Sequence, residues 1–299
     1  MTTSAVIVNP SKVADMDARR EEICAALAAA GWDEPLWLET TPDDPGCGVA
    51  EEAVATGVEV VLVCGGDGTV MAVASVLAGT EVALALIPSG TGNLLATNVG
   101  VTRDVTAALA VATGGERRRI DVGVVDGAGM FTVMAGIGFD AAMVGETPDD
   151  RKARLGWVAY VVAGLRNLRR RRMPLRIRLD GGPWLHRRAT TVLVANVGRL
   201  QGGIPLLPAA VIDDGWLDVA VLTPRRITDW IRLGWGVLLR RDRPPRLETF
   251  RARKVEVLTN REEPRELDGD VVAAARRLVA RVEPGALLLC VPISRRRDA

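Results

Sequence analysis

Val60-Val61-Leu62-Val63-Cys64-Gly65-Gly66-Asp67-Gly68-Thr69 decides how this chain folds. Its opening residues form an apolar run rich in β-branched side chains, the mark of a buried strand. The run breaks at Gly65 and Gly66, and an apolar helical pattern follows from Val70 to Leu77. Strand, tight turn and helix start are therefore compressed into one short segment. Glycines let the backbone adopt conformations closed to other residues and let a ligand approach bare N–H groups. Thr69 is placed to cap the helix, and the first-turn amides form a seat for phosphate. Asp67 is out of character in an anion-binding turn, because its charge repels phosphate unless a cation or a transferable proton stands between them. It reads as a magnesium-linked or proton-handling group. The plainer reading is an ordinary strand-to-helix turn with Asp67 as a second capping residue.

A second turn of the same kind favours the phosphate reading. Val82-Ala83-Leu84-Ala85-Leu86-Ile87 is another apolar strand, and it runs through Pro88-Ser89-Gly90-Thr91-Gly92-Asn93 into a helical Leu94-Leu95-Ala96. Two consecutive β-turn-α units place both loops at the carboxyl edge of one parallel sheet, where open α/β sheets bind ligands. Together they point to a nucleotide. The paired motifs, Gly65 to Thr69 and Pro88 to Asn93, resemble those of the diacylglycerol kinase catalytic-domain family, in its bacterial soluble branch related to sphingosine and ceramide kinases. NAD kinases share the first motif alone.

Length and composition set the outer limits. At 299 residues with 48% hydrophobic side chains the chain suits two modest domains with substantial cores. A net charge of +1 does not suggest a nucleic-acid binder. Cys24, Cys47, Cys64 and Cys290 lie far apart with no metal-ligand spacing, and read as reduced thiols of a cytoplasmic protein. No export signal is expected at the N-terminus, and no apolar stretch approaches the ~20 residues that span a bilayer. Any membrane contact is expected to be peripheral, at the inner surface.

Ala5 to Val8 reads as the first strand, ending in Asn9-Pro10-Ser11-Lys12 at the same sheet edge as the two glycine loops. The resemblance implies a nucleotide-site role for Asn9; Lys12 is one of very few lysines beside many arginines. Asp15 to Ala30 reads as an amphipathic helix stopped by Gly31, and Leu36 to Leu38 as a strand. In the loop that follows, the family carries a nucleotide-contacting threonine, which Thr41 matches somewhat better than Thr40; capping serves equally well. Asp104 to Ala112 reads as a helix. From Val124 the alternation of strand and helix stops and short β-rich runs take over: Phe131 to Met134, Leu175 to Leu179, Thr191 to Ala195, Leu217 to Leu222 and Val255 to Leu258. A helix over Lys152 to Arg172 and an interfacial segment from Trp230 to Arg241 carry many arginines. They read as solvated faces or as surfaces attracted to anionic lipid.

The resemblance assigns further residues. Asp121, in Ile120-Asp121-Val122-Gly123, is expected to face the active site; otherwise it is an edge-strand aspartate paired with a neighbouring arginine. Asp214, with the backbone carbonyls of Val211 and Trp216, matches a structural magnesium site, hard oxygen donors on a turn suiting that ion. Leu267-Asp268-Gly269-Asp270 is first of all a hairpin signal. The family has a glutamate, regarded as the catalytic base, where this chain has Asp270. Leu94 is a second departure, standing where many relatives have an aspartate.

The expected fold is an N-terminal α/β nucleotide domain, residues 1–123 with a returning C-terminal strand in 286–299, joined to a β-rich antiparallel, sandwich-like domain over 124–285. The active site is expected in the cleft between them. The expected activity is an ATP-dependent lipid kinase acting on an alcohol such as diacylglycerol. Gly65, Gly66, Asp67, Gly68 and Thr69, with Ser89, Gly90, Thr91, Gly92 and Asn93, would hold ATP with Asn9, Thr41 and Asp121. Mg2+ would be held through Asp67 and Asp121 by waters, and Asp270, with Asp67 sharing the role, would act on the hydroxyl. The alternatives are an NAD kinase or a non-catalytic nucleotide- or lipid-binding regulator. A homodimer is left open and nucleic acid is not expected as a partner.

Overall fold

A computed structural model describes residues 2–138, 172–199, 206–224, 228–229 and 246–293. The helix expected over Lys152 to Arg172 lies, apart from Arg172, outside these residues, as does the Trp230 to Arg241 segment. The chain divides into two compact units, Met1–Ile120 with Gly285–Ala299, and Asp121–Pro284.

The first unit alternates strand and helix: β1 (Ser4–Val8), a 3-10 turn (Pro10–Lys12), α1 (Met16–Ala29), β2 (Leu36–Glu39), α2 (Cys47–Ala55), β3 (Val60–Gly65), α3 (Asp67–Leu77), β4 (Ala83–Pro88), α4 (Leu94–Val99) and α5 (Val105–Gly114). β5 (Glu116–Val125) leaves it for the second unit. The strands run parallel in the order β2-β1-β3-β4, and the end of β14 (Asp270–Val291) adds to β4 through Leu289 opposite Leu84. Every residue of β1, β3 and β4 is buried, as expected of parallel strands covered on both faces. Ile23 and Leu27 of α1 and Leu109 of α5 pack on Val6, Leu62, Ala85 and Cys290. Asp15 and Asp104 prove to be N-caps, accepting from Ala18 N at 3.0 Å and Ala107 N at 2.7 Å. α2 is an element the sequence reading missed. Asp44 organises its start by accepting from Gly46 N, Gly48 N and Val49 N, bonds led by Gly46 that hold its carboxyl below the usual range.

The second unit is antiparallel. It holds β6 (Gly129–Phe131), β7 (Met134–Ile137), β8 (Met173–Leu179), β9 (Leu185–Ala189), β10 (Thr191–Ala195), β11 (Leu217–Leu222), β12 (Leu247–Ala252), β13 (Lys254–Leu267) and most of β14. β12-β11-β10-β7-β13 is one path; β13 also pairs with β14 and β8, β8 with β9, and β5 with β6. Phe131, Ile137, Ile177, Val192, Leu217, Val219 and Val257 form its core. Gly123 is required there: a Cβ on it would stand 1.9 Å from Phe131 Cζ. The run expected over Phe131 to Met134 is two strands, because the amides of Thr132, Val133 and Met134 are all taken by the carboxylate of Asp268. The unit begins at Asp121 rather than at 124 because Asp121 is bonded to Ile212, Gly215 and Asn196, all within it.

Candidate nucleotide and acceptor sites

In the first unit the two glycine loops meet backbone to backbone. A Cβ on Gly90 would lie 2.6 Å from Gly66 Cα, so the second loop cannot carry a side chain at the junction without being pushed away, whereas a Cβ on Gly66 would stand in ordinary contact, 3.5 Å from Gly90 Cα. The helix after the first loop starts earlier than its apolar pattern predicts, at Asp67, with Gly66 as an N-cap that has no side chain to offer. Thr69 is therefore not the cap. It is buried in the first turn, its Oγ1 accepting from Asn9 Nδ2 at 3.1 Å. Asp67 reaches across to the second loop. Its Oδ2 accepts from Asn93 N at 2.8 Å and its Oδ1 from Leu94 N at 2.6 Å, fixing the start of α4. Asn93 sits at φ 49° and ties off its own loop, bonding Gly90 N at 3.1 Å and Gly90 O at 2.8 Å.

Other expected residues gather around this junction. Asn9 N donates to Cys64 O at 2.9 Å, which places the first turn against the end of β3. Ser89 N donates to Gly65 O at 3.0 Å, and Ser89 Oγ donates to Ile87 O at 3.2 Å. Two cations border the loops. Lys12 Cε lies 4.0 Å from the place a Cβ on Gly66 would take, and Arg103 donates to Thr91 O. The sequence reading did not mark Arg103, because nothing in its surroundings there signals a loop contact. Thr41 is exposed and its Oγ1 accepts from Asp44 N at 3.0 Å, the local capping role that the sequence left open.

In the second unit, Asp268 and Gly269 form the hairpin turn with φ of 49° and 96°, the left-handed pair that a two-residue turn of this kind requires. Asp270 follows it, exposed, opposite Leu267. Asp268 was expected only to turn the chain, yet it is buried and accepts from Thr132 N, Thr132 Oγ1, Val133 N and Met134 N at 2.8 to 2.9 Å. Burial raises its carboxyl to about 6, while the four donors pull it down. Glu266 lies on the same face of β13, packed over Gly136 and Leu193. Burial and, secondarily, the charge of Asp268 raise it to about 7. Neither residue could be found from the sequence, since the partners of Asp268 are more than 130 positions away.

Asp121 is buried, and its Oδ2 accepts from Gly215 N at 2.6 Å while its own N–H donates to Ile212 O. Asn196 Nδ2 donates to the carbonyls of Asp121 and Thr132 at 2.7 and 3.1 Å, leaving Asn196 Oδ1 buried without a partner. Val211, Asp214 and Trp216 belong to the loop that Asp121 anchors. Asp214 Oδ1 accepts from Trp216 N at 3.1 Å, and its Oδ2 is ion-paired with Arg251. Arg251 also lies 3.9 Å from Asp218, whose buried carboxyl is raised by desolvation. A guanidinium thus stands where a cation would have to approach Asp214. The carboxylate expected to hold magnesium is thereby engaged by a guanidinium, and among the described residues no cluster of three His, Cys, Asp or Glu side chains is present.

Comparison with known proteins decides the family. Residues 3–125 match the diacylglycerol kinase catalytic domain, and residues 132–291 match the YegS C-terminal NAD kinase beta sandwich-like domain. A "Probable lipid kinase YegS-like" of Pseudomonas aeruginosa is 34% identical over 288 residues, which is 92% of this chain and 91% of that protein. The chain belongs to the YegS-like lipid kinase family. A relative with the same description from Klebsiella pneumoniae is 36% identical over a shorter match, 58% of this chain and 59% of its own length. Among solved structures, a diacylglycerol kinase from Bacillus anthracis superposes with a TM-score of 0.77 at 26% identity, covering 97% of this chain and 96% of that one. An NAD kinase from Archaeoglobus fulgidus in complex with ATP shares the fold alone, at TM-score 0.51 and 13% identity over 97% of this chain and 93% of that one. In this lipid kinase family member, Leu94 gives its backbone amide to Asp67 and buries its side chain.

Proposed function

We propose that the chain transfers the γ-phosphoryl group of Mg-ATP to the hydroxyl of a lipid alcohol such as diacylglycerol. The observation that carries this reading is the junction of Gly66 with Gly90, braced by Asp67, beside a helix whose first turn has no capping side chain. Helix-start amides without a side-chain acceptor favour phosphate oxygens. Lys12 and Arg103 add positive charge at the loop edges. Magnesium would arrive with the nucleotide, as part of the substrate. Asp67 already accepts two amides, so its role toward that ion is through bound water rather than by direct ligation. Asn9 and Thr69 hold the first loop, Ser89 and Asn93 shape the second, and Asp121 organises the 211–216 loop.

Phosphoryl transfer has a loose transition state, so positioning and charge neutralisation dominate and the base contributes less. Asp270 is assigned the acceptor hydroxyl. A general base is worth ~10²- to 10⁴-fold, and the shorter reach of aspartate lowers that share. The test is transfer of labelled phosphate from ATP to a panel of lipid alcohols in mixed micelles, with NAD as a separate acceptor. Transfer to one lipid and none to NAD supports the reading. Transfer to NAD instead would make this an NAD kinase, and ATP binding without any transfer would make it a nucleotide-binding regulator.

A further inference from the structure

Asn196, the first residue beyond β10, is 1% exposed and holds together parts of the second unit that are far apart in sequence. Its backbone N–H donates to Val133 O at 2.9 Å, and its Nδ2 donates to Asp121 O at 2.7 Å and to Thr132 O at 3.1 Å. On one side, Asp121 anchors the 211–216 loop, giving its N–H to Ile212 O at 2.8 Å and accepting from Gly215 N at 2.6 Å. On the other, Thr132 gives both its N–H and its hydroxyl to Asp268, whose own N–H returns to Met134 O at 2.9 Å. Asp268 opens the turn that carries Asp270. One side-chain nitrogen therefore links the loop of Asp121 to the turn of Asp270.

The residue type at this point is informative. A hydroxyl has one hydrogen to give, and an ammonium or guanidinium would bury a charge. A planar amide donates two bonds from one uncharged nitrogen and fixes the angle between the two carbonyls it meets. That orientation has a cost here, because Asn196 Oδ1 is left buried with no partner, and a buried acceptor without a donor weakens a fold. Stability alone does not favour such a group, whereas a fixed geometry between the loop and the turn does. We propose that Asn196 is a positioning residue, which sets Asp270 against the acceptor hydroxyl by holding its turn, through Thr132 and Asp268, in register with Asp121. This rests on the assignment of Asp270 to the acceptor hydroxyl. Asn196 itself acts only through the residues it holds.

The test joins kinetics with amide hydrogen exchange on the full chain. Asn196→Ala should lower kcat for phosphoryl transfer from ATP to the accepted lipid by ~10²-fold, as a displaced reacting group does, with KM for ATP within about twofold of wild type. In the same variant the amides of Thr132, Val133 and Met134 should exchange roughly tenfold faster, while those of β11 do not change. Asn196→Ala/Asp270→Ala should be no slower than Asp270→Ala alone, because the two act through one group. Thr191→Val is the control. It removes a buried bond of β10, Thr191 Oγ1 to Ile137 O at 3.0 Å, without touching the link, and should keep the wild-type kcat. Thr132→Val keeps the side-chain shape but removes the hydroxyl bond to Asp268. It should lower kcat about fivefold, and it decides the matter if Asn196→Ala does not fold. Wild-type kcat in Asn196→Ala, or in Thr132→Val where that variant stands in, would overturn the proposal. So would an equal loss in Thr191→Val, or losses that multiply in the double variant. A wild-type protein that transfers phosphate to no lipid sinks the kinase reading instead. Exchange then decides the link by itself, and unchanged protection at residues 132–134 in Asn196→Ala overturns it.

Discussion

Asp67 and Asp268 perform the same local task in the two units, and only one of them is used up by it. Each carboxylate collects backbone amides from a turn distant in sequence: Asn93 and Leu94 for Asp67, and Thr132, Val133 and Met134 for Asp268. Asp268 is buried and takes a hydroxyl as a fourth donor, so its work is to hold β6, β7 and the hairpin together. Asp67 is half-buried at the junction of two glycine loops, where the same bracing leaves it at the edge of the proposed phosphate seat. An aspartate that gathers amides is therefore not by itself a sign of catalysis. Exposure and the backbone around it separate the two cases.

Substitution should separate them most sharply. Asp268→Ala orphans four donors and should cost roughly 3–5 kcal/mol of stability, seen as a lower midpoint in urea unfolding. Asp67→Ala should reduce phosphoryl transfer by ~10²-fold or more while costing only about 1–2 kcal/mol. Comparable stability losses in both would erase the distinction. Gly90→Ala comes next. It places a methyl 2.6 Å from Gly66 Cα, so the loops must separate, and ATP affinity should fall by about tenfold or more with the fold retained, as titration calorimetry would show.

The sheet of the first unit and its two loops were legible in the sequence because apolar runs and glycines are local signals. The bracing was not. The amides that Asp67 gathers, those of Asn93 and Leu94, lie a whole β-turn-α unit downstream, out of reach of a local reading. Thr69 looked like a cap because the apolar pattern starts at Val70, whereas the helix begins at Asp67. In the second unit the strand runs from Thr191 and Leu217 were clear. The break between β6 and β7 was not, since it depends on Asp268, and the ion pair of Arg251 with Asp214 joins two segments that the sequence keeps apart.

Smaller effects sharpen the same contrast. Glu266 is buried beside Asp268 and raised to about 7. A carboxyl raised in the folded state contributes stability that is full below its unfolded value, 4.5, and is lost as pH rises through about 7. This group alone should make the protein less stable at pH 8 than at pH 5 by on the order of 2–3 kcal/mol. Asp268, raised to about 6, acts in the same direction. Glu266→Gln should flatten that slope, and an unchanged pH profile of the melting temperature would show that Glu266 is not the source. Magnesium without nucleotide should leave the melting temperature within about a degree, because Arg251 already occupies Asp214; a large rise would show that the ion displaces it.

The most direct measurement compares Asp67→Ala with wild type for two quantities at once, binding of ATP with magnesium and single-turnover transfer of labelled phosphate to the accepted lipid. If Asp67 braces the phosphate seat and acts on the nucleotide's hydrated ion, transfer falls ~10²-fold or more while the chain stays folded. Transfer at the wild-type rate, in a protein that still binds ATP, would contradict that role and reduce Asp67 to a second Asp268.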